Sequence, residues 1–384
     1  MGILSKFNNL TRYEAIGLNQ DYNLADGHAH QGQSNTQKTI VGELPSIFCE
    51  SEFTKQKVLE EEFQYEFYKL ANQYSAISHP RTMLCYSASL STDLIATYLQ
   101  QRGITVSLLQ PCFDNLATIL KRRNVQLTPV AEDDLAPHNL EHTLNNLTTD
   151  ALFLTLPNNP TGFMLNQEEV ETVIELCKRN DKLLIIDCTF RFYHPDSLWD
   201  QYRALEKSGV SYFMVEDTGK TWPTQDLKCS ILAASEDLYE GILELHNDIL
   251  LNVSPFILNL LIKYVRDTEK YGLQTTLWDL IEANRAYLRN SLEDSILIPY
   301  SSHSTISVEW LNIQSENVSS IELLEAMRAS GLGVLPGDHF YWNNPEIGER
   351  YIRIALARDS EMFKKACDRL SDFLSTQYNV ALVR

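Results

Sequence analysis

The sequence lacks the features that mark membrane proteins and nucleic-acid-binding proteins. No run approaches the roughly 18 apolar residues of a membrane-spanning helix. Basic residues are scarce, because 32 lysines and arginines stand against 51 aspartates and glutamates, and the formal net charge is −19. Such a surface repels phosphate backbones and anionic lipids. We therefore expect no nucleic-acid partner and no membrane partner.

The sequence also lacks the short motifs of metal, redox and nucleotide sites. Its seven cysteines form no CxxC pair and show no metal-ligand spacing, which predicts reduced, mostly buried thiols and no metal site. No GxGxxG motif follows a candidate strand, and this argues against a bound flavin or nicotinamide. The first 23 residues have no apolar core flanked by basic residues, so we expect a cytoplasmic protein.

What the chain does contain is an alternation of short apolar runs and amphipathic segments between about residues 80 and 235. This pattern is typical of βα units and predicts an α/β fold with a mostly parallel sheet wrapped by helices. Ligands of such sheets bind at the carboxyl ends of the strands. The candidate strands are Thr82–Tyr86, Thr105–Leu109, Leu152–Leu156, Leu183–Ile186, Phe213–Val215 and Ser230–Ala234.

The length and the change of pattern predict three regions. Residues 1–44 are polar with little apolar periodicity and are interpreted as an N-terminal arm. Residues 45–285 would form a large domain and residues 286–384 a smaller α+β domain. In Ser304–Trp310, apolar and polar residues alternate, which predicts a half-exposed antiparallel strand.

Lys220 is the residue that most needs an explanation. It follows the apolar run Phe213–Val215 and a turn of small residues, so it should stand at the carboxyl end of a core strand. A lysine in such a place can form a Schiff base with pyridoxal phosphate (PLP). The alternative is an ordinary lysine in a surface loop.

Four other features are each ambiguous. Ser87-Ala88-Ser89 follows a strand and opens a helix, which suits an anion or a plain helix cap. Asn159 lies in the turn Asn158–Gly162 and could simply serve that turn. Asp187 ends an apolar strand, where a carboxylate needs a cation or donors. Arg353 lies between two isoleucines as an edge charge or as a carboxylate clamp.

Together, Asn159-Pro160-Thr161-Gly162, Asp187, Lys220, Lys228 and the run Tyr351–Ala357 resemble the fold-type I PLP enzymes of the class I and II aminotransferases. The resemblance covers nearly the full chain and implies a large PLP domain, a small domain and a homodimer. It implies that Lys220 is the Schiff-base lysine and Asp187 the partner of the pyridine nitrogen. It further implies that Ser87, Ser89 and Lys228 hold the phosphate, with Ala88 beside them as a cofactor residue. Asn159 would contact the ring hydroxyl, Phe113 would stack on the ring, and Arg353 would bind the substrate carboxylate.

Departures from the family pattern put ordinary transamination in doubt. Phe190 stands where aminotransferases usually have a tyrosine that contacts the ring hydroxyl. Asp217 replaces a serine that is common before the lysine, and Lys228 replaces an arginine.

A narrower resemblance is to the O2- and PLP-dependent L-arginine oxidases, which include the arginine hydroxylases and desaturases of antibiotic biosynthesis. It rests on several motifs along the chain. These are Thr11-Arg12-Tyr13-Glu14, Asn23–Ala29, Glu43-Leu44-Pro45, Phe113-Asp114-Asn115, Glu216–Lys220, Trp222-Pro223-Thr224 and Asn247–Leu251.

This second resemblance implies an oxidation of L-arginine through quinonoid intermediates, with O2 as co-substrate. The product would be a desaturated or 4-hydroxylated 2-imino or 2-keto arginine, with release of peroxide and ammonia. The arm, residues 1–44, would then close over the active site. Thr11, Glu14, Asp26 and Asp217 are candidates for binding the guanidinium, and His28 for proton transfer. The alternatives are a solvated arm with a solvated histidine, an ordinary amino-acid aminotransferase, or a non-catalytic PLP-fold binding protein.

Overall fold

A computed structural model describes residues 9–79 and 81–378 of the chain. The first eight residues of the predicted arm and the last six of the predicted small domain lie outside the described residues. The helices are α1 Leu10–Gly17, α2 Asn35–Gly42, α3 Leu44–Phe53, α4 Gln56–Leu70, α5 Ala88–Arg102, α6 Asp114–Arg122, α7 Pro137–Asn145, α8 Gln167–Arg179, α9 Gln201–Ser208, α10 Glu236–Ile249, α11 Pro255–Tyr271, α12 Asp279–Ser291, α13 Ser320–Ala329, α14 Pro345–Gly348 and α15 Ser360–Gln377.

Thirteen strands are described. They are β1 Tyr22–Asn23, β2 Thr82–Cys85, β3 Val106–Gln110, β4 Leu127–Ala131, β5 Ala151–Thr155, β6 Leu183–Asp187, β7 Tyr212–Asp217, β8 Ser230–Ala234, β9 Leu297–Pro299, β10 Val308–Ile313, β11 Leu332–Gly333, β12 Leu335–Pro336 and β13 Tyr351–Ala355.

Seven strands form the central sheet in the order β2-β8-β7-β6-β5-β3-β4. Neighbours from β7 to β4 are parallel, whereas β8 runs antiparallel to both β7 and β2. The mostly parallel α/β sheet predicted from the sequence is therefore confirmed. Because β2 has the same direction as the five parallel strands, six strands end at one edge of the sheet.

The sequence prediction identified every strand of this sheet except β4. That strand contains Pro129, and Leu127, Thr128 and Ala131 are partly or fully exposed. An edge strand tolerates proline because one side of it makes no ladder hydrogen bonds. Its sequence therefore carries neither an apolar run nor a clean alternation.

Local helix signals agree closely with the structure. The side chain of Asn166 accepts a hydrogen bond from the backbone N–H of Glu169 (3.0 Å), and the Glu169 side chain accepts one from Asn166 N (2.8 Å). This reciprocal cap begins α8, whose apolar residues Val170, Val173, Ile174 and Cys177 are buried. In α4 the apolar residues Leu59, Phe63 and Phe67 are buried, whereas Tyr74, at the same spacing, lies beyond the helix and is 59% exposed.

The smaller sheet has the order β12-β13-β10-β9 and is antiparallel. The prediction of a half-exposed antiparallel strand at Ser304–Trp310 is right in direction but wrong in its bounds and its burial. Strand β10 begins at Val308, and Glu309 is buried along with its apolar neighbours. Arg285 and Arg289 bind the Glu309 carboxylate at 2.8 and 2.7 Å, so a polar position of the pattern points into the protein.

The described part of the arm is folded and packed. Its strand β1 pairs with β11, and Leu10 and Tyr13 of α1 are buried. Helix α12 runs through residue 285 without a break, and the three-region division stays a prediction.

Six of the seven cysteines are buried and Cys49 is exposed. Within the described residues, no helix is both long enough and apolar enough to cross a membrane.

Candidate active site

The candidate site lies at the edge of the central sheet where the six strands of common direction end. In the sheet register Asp187 is the partner of both Thr155 and Val215. Asp217 in turn pairs with Ser230 of β8. The chain therefore places a carboxylate at the ends of two neighbouring strands and leads directly from the second one into the turn that carries Lys220.

A cavity of about 530 Å³ opens at this edge, a size that suits a cofactor together with a small substrate. Twelve of the fourteen predicted site residues line it, and Asp26 and Arg353 do not. The twelve are Thr11, Glu14, His28, Ser87, Ala88, Ser89, Phe113, Asn159, Asp187, Asp217, Lys220 and Lys228.

Asp187 is an almost fully buried carboxylate on the cavity wall. Its Oδ1 atom accepts hydrogen bonds from the backbone N–H of Thr189 (2.9 Å) and from the Thr189 hydroxyl. Burial raises the pKa of Asp187 to about 6, although the bonds from Thr189 lower it, and the charges of Asp217 and Glu216 raise it further. A cation placed against this carboxylate would restore its ordinary acidity. The protonated nitrogen of PLP fits that need.

The Lys220 turn is fixed by contacts of its backbone. The hydroxyl of Tyr193 donates to the carbonyl oxygen of Lys220 at 2.5 Å. The N–H of Gly219 donates to Asp217 Oδ1 at 2.6 Å, and Ala29 N donates to the Gly219 carbonyl at 3.3 Å. With its backbone held on both sides, the Lys220 side chain enters the cavity from a rigid turn.

The amino end of α5 forms the part of the cavity predicted to take the phosphate. Ser87 caps the helix by accepting from Leu90 N at 3.2 Å, and Asn115 donates to the Ser89 hydroxyl at 2.9 Å. Both readings of this segment are thus compatible with the structure, since a cap and an anion site share the same geometry. The N–H of Ala88 is taken by Asp217 Oδ2 at 3.1 Å.

Asp217, predicted to contact the guanidinium of the substrate, binds backbone N–H groups in this structure. It lines the cavity but is 5% exposed, and its two oxygens accept from Gly219 and Ala88. Lys228, predicted to hold the phosphate, has its ammonium 2.9 Å from Nε2 of His28 and 3.5 Å from Asp226.

Arg353 is fully buried behind the cavity and does not line it. Its guanidinium lies between the rings of Phe113 and Phe340, at 5.7 and 5.6 Å. It donates to Asn159 Oδ1 at 3.2 Å, to Glu14 Oε1 at 3.5 Å and to the carbonyl of Ala25. Burial lowers the pKa of Arg353, while the charges of Glu14 and Asp26 raise it. The bond from Arg353 leaves the NH2 group of Asn159 as a donor.

Asp26 also lies outside the cavity lining. Its carboxylate is 4% exposed and binds Nδ1 of His28 at 2.7 Å and Nε2 of His30 at 2.5 Å. Direct contact with a substrate guanidinium, as predicted for Asp26, would require these bonds to break.

Sequence reasoning missed several residues of this site. Thr189 binds Asp187, Tyr193 binds the Lys220 carbonyl, and Asp226 stands beside Lys228 and His28. A threonine two residues after an aspartate is a weak turn signal and could have suggested Thr189. Phe190, noted as a departure from the aminotransferase pattern, is 4% exposed and lines the cavity next to Thr189.

Residues 51–370 match the family model for aminotransferase class I and II. Among solved structures, the chain is similar to MppP soaked with the product 2-ketoarginine. The identity is 33% and the TM-score 0.84, over 91% of this chain and 99% of that one. It is also similar to aspartate aminotransferase from Thermus thermophilus with maleate, with a TM-score of 0.77 over 97% and 100% of the chains. That second likeness has 15% identity and shows the fold alone.

Two curated relatives are more distant in sequence. Aspartate aminotransferase of Pyrococcus horikoshii is 21% identical over 291 residues, 74% of this chain and 72% of that protein. Aromatic-amino-acid aminotransferase 2 of Thermococcus litoralis is 24% identical over 229 residues. That alignment takes 59% of this chain and 57% of the relative, so the chain spans little more than half of the relative's length.

Proposed function

Because the chain belongs to the aminotransferase class I and II family of PLP enzymes, we propose that it is an O2-consuming L-arginine oxidase or hydroxylase. The proposed products are a desaturated or 4-hydroxylated 2-imino or 2-keto arginine. Each two-electron oxidation reduces one O2 to peroxide, and hydrolysis of the imine releases ammonia. The single observation that carries the proposal is that the arm places Thr11, Glu14 and His28 in the same cavity as Lys220 and Asp187.

The residues present fit PLP. Lys220 would hold the aldehyde carbon and Asp187 the pyridine nitrogen, and Phe113 would stack on the ring. Ser87, Ser89 and Lys228 would hold the phosphate, as would Ala88 once Asp217 releases its N–H. The Asn159 NH2 group would donate to the ring hydroxyl. When bound, the cofactor supplies an electron sink for the substrate α-carbon.

The charge of the cavity supports a cationic substrate. Its wall carries four carboxylates, Glu14, Asp187, Asp217 and Asp226, against the two ammonium groups of Lys220 and Lys228. A guanidinium binds best where carboxylates and hydroxyls lie in one plane. Glu14 and the Thr11 hydroxyl lie on one face of α1, three positions apart, and would orient such a group.

The protein's own groups have separate tasks in this proposal. Lys220 Nζ takes the proton from the substrate α-carbon, and His28 Nε2 is the second proton acceptor at the cavity. The arm covers the cleft and excludes water, as lids do. Arg353 binds the substrate carboxylate after releasing Glu14 to the guanidinium. Similarity to MppP, a protein whose solved structure was soaked with 2-ketoarginine, supports arginine as the substrate.

The test is an oxygen-electrode measurement with purified protein, PLP and L-arginine as the only substrate. We expect oxygen uptake, ammonia and peroxide, and mass spectrometry of the organic product identifies its oxidation state. L-Citrulline is the matched control, since it replaces the cationic guanidinium with a neutral urea of nearly the same shape. Equal oxygen uptake with both compounds would contradict the role of the carboxylates.

The second candidate is an ordinary amino-acid aminotransferase, as the names of the curated relatives suggest. The chain has the four residues that match the aminotransferase pattern, Lys220, Asp187, Asn159 and Arg353. This observation favours the second candidate. It predicts turnover of arginine that depends on an added 2-keto acid and proceeds without oxygen. Anaerobic turnover with 2-ketoglutarate, together with no oxygen uptake, would replace our proposal with this one.

We also propose that the protein is a homodimer. Phe48, Phe53 and Leu251 are 61%, 86% and 94% exposed and would be covered in such an assembly. Light scattering after size-exclusion chromatography should give twice the chain mass of 44.0 kDa. A monomer at micromolar concentration would contradict this assignment.

A further inference from the structure

The carboxylate of Asp26 lies between two imidazole rings at the inner end of the arm. Its Oδ1 is 2.7 Å from Nδ1 of His28, and its Oδ2 is 2.5 Å from Nε2 of His30. We propose that Asp26 and His30 are positioning residues that hold His28 as the tautomer protonated on Nδ1. His28 Nε2 is thereby left as the proton acceptor that faces the cavity. This inference rests on the proposed function, in which His28 accepts a proton.

The donors and acceptors around Asp26 determine which ring nitrogens of His28 and His30 carry a proton. Burial alone would raise the pKa of Asp26, but the hydrogen bonds from His28 and His30 and the charge of Lys220 hold it well below its usual range. An ionised carboxylate only accepts hydrogen bonds. Nδ1 of His28 and Nε2 of His30 must therefore both carry a proton.

The contact of His28 with Lys228, on the cavity side of the ring, independently indicates the same tautomer. Its Nε2 lies 2.9 Å from the ammonium nitrogen of Lys228, a group that donates and cannot accept. In a neutral imidazole one nitrogen donates and the other accepts. Nε2 of His28 is thus the acceptor, and the two neighbours of the ring require the same tautomer. The carboxylate of Asp226 is farther from Nε2, at 3.8 Å.

The backbone of this segment is held by hydrogen bonds from residues that directly follow strand β13. The buried Arg358 guanidinium donates to the carbonyls of Asn23 (2.6 Å), His28 (3.1 Å) and Asp26. The N–H of His30 donates to the carbonyl of Ala357 at 3.0 Å. Segment 23–30 therefore has little freedom to rotate, and the carboxylate between the two rings keeps its orientation.

These contacts make His28 a base whose protonated form is stabilised by Asp26. When a proton from the substrate or from water adds to Nε2, His28 becomes an imidazolium that keeps its Nδ1–H bond to Asp26. The negative charge of Asp26 stabilises that cation, as the aspartate of a serine protease triad does. His30 supplies the second N–H donor and fixes the other carboxylate oxygen, so Asp26 cannot turn away from His28.

The first test reads the tautomer directly, in protein with and without PLP. Long-range 1H–15N correlation spectra of histidine-labelled protein distinguish the two tautomers, and comparison with His28→Gln identifies the His28 signals. We expect the Nδ1–H tautomer in the parent and in His30→Gln, whose amide keeps a donor to Asp26. In Asp26→Asn, whose amide presents both a donor and an acceptor, we expect a larger share of the Nε2–H form, because only Lys228 then still favours the Nδ1–H form. A parent protein with the Nε2–H form overturns the inference.

The second test uses turnover with arginine. Asp26→Asn should lower kcat by 10-fold or more, and His30→Phe by several-fold. His30→Gln should stay within about 3-fold of the parent, and KM for arginine should change by less than about 3-fold in all three. Equal losses in His30→Gln and His30→Phe would mean that His30 acts by packing, and this outcome would also overturn the inference.

A double-mutant comparison tests whether Asp26 acts through His28. Adding Asp26→Asn to His28→Gln should cause no further loss of kcat, and a full additional loss would contradict the proposed role. PLP absorbance in each variant verifies that the protein is folded and loaded. If the parent consumes no oxygen with arginine, the proposed function fails, while the tautomer spectra still decide the arrangement of Asp26, His28 and His30.

Discussion

Nη2 of Arg353 lies 3.5 Å from Oε1 of Glu14, although the two residues are 339 positions apart. One was predicted to bind the carboxylate of the substrate and the other its guanidinium. Their contact joins the arm to strand β13 directly behind the cavity. Two groups assigned to opposite ends of the substrate thus form an ion pair with each other in the structure. A bound substrate would have to separate them.

Replacing Glu14 by glutamine should weaken arginine binding far more than PLP binding. A hydrogen bond to a charged group contributes about 1.5–3 kcal/mol, so KM for arginine should rise roughly 10- to 100-fold. Steady-state kinetics give KM, and titration of the cofactor-free protein gives the affinity for PLP. Glu175→Gln, at an exposed position of α8, is the control. Unchanged arginine saturation in Glu14→Gln would remove the arm from the binding site.

Lys220→Ala should abolish both turnover and the absorbance of the covalent link between lysine and PLP. The matched variant is Lys228→Ala, which should keep the absorbance band. In that variant the affinity for PLP should fall about 10-fold or more, because one charge-assisted contact to the phosphate is lost. Borohydride reduction followed by peptide mapping identifies the modified lysine. Label on Lys228 in the parent protein would show that the wrong lysine was chosen.

Asp114 predicts a pH-dependent stability of the cofactor-free protein. Its Oδ2 accepts from the N–H of Leu10 at 2.9 Å, at the start of α1. Burial raises the pKa of Asp114 to about 7 despite that bond, and Glu14 and Asp338 raise it further. The folded pKa lies above the unfolded value, so the stability that this residue contributes below about pH 4 is lost as the pH rises through 7.

The matching experiment compares Asp114→Asn with the parent by urea unfolding at pH 5 and pH 8. Asparagine keeps an acceptor for Leu10 but does not ionise. Because one pKa unit corresponds to about 1.4 kcal/mol, the variant should gain on the order of 2–4 kcal/mol relative to the parent between the two pH values. Glu175→Gln should show no such gain. The same difference at both pH values would argue against a buried, titrating Asp114.

Glu216→Gln should destabilise the protein strongly. Its carboxylate pairs with Arg191 through Nη2 at 2.6 Å and through Nε at 2.9 Å, and both side chains are almost fully buried. Removing one partner leaves an uncompensated buried charge, which costs about 3–5 kcal/mol. Glu361→Gln, which breaks the exposed pair with Lys365, should leave the free energy of unfolding nearly unchanged. Similar losses in the two variants, measured by denaturant unfolding, would contradict this account.

The groups at the strand ends were the most predictable part of the site. Asp187 and Lys220 each follow a continuous apolar run, and parallel strands bring such ends to one edge. Strand geometry also separates Glu216 from Asp217, since successive side chains point to opposite faces. Glu216 therefore meets Arg191 on one side, while Asp217 lines the cavity on the other.

The sequence by itself determined the α/β fold, the edge at which the site lies and the positions of Asp187 and Lys220 at that edge. These features depend on local periodicity and on the direction of neighbouring strands. Only the tertiary structure decided the partners of the buried charges. Asp26 pairs with two histidines, Arg353 with Glu14, and Glu309 with two arginines. Each charge pairs with whichever opposite charge or donor the packing brings within ion-pair distance, and several of these partners are distant in the chain. No local pattern encodes that choice.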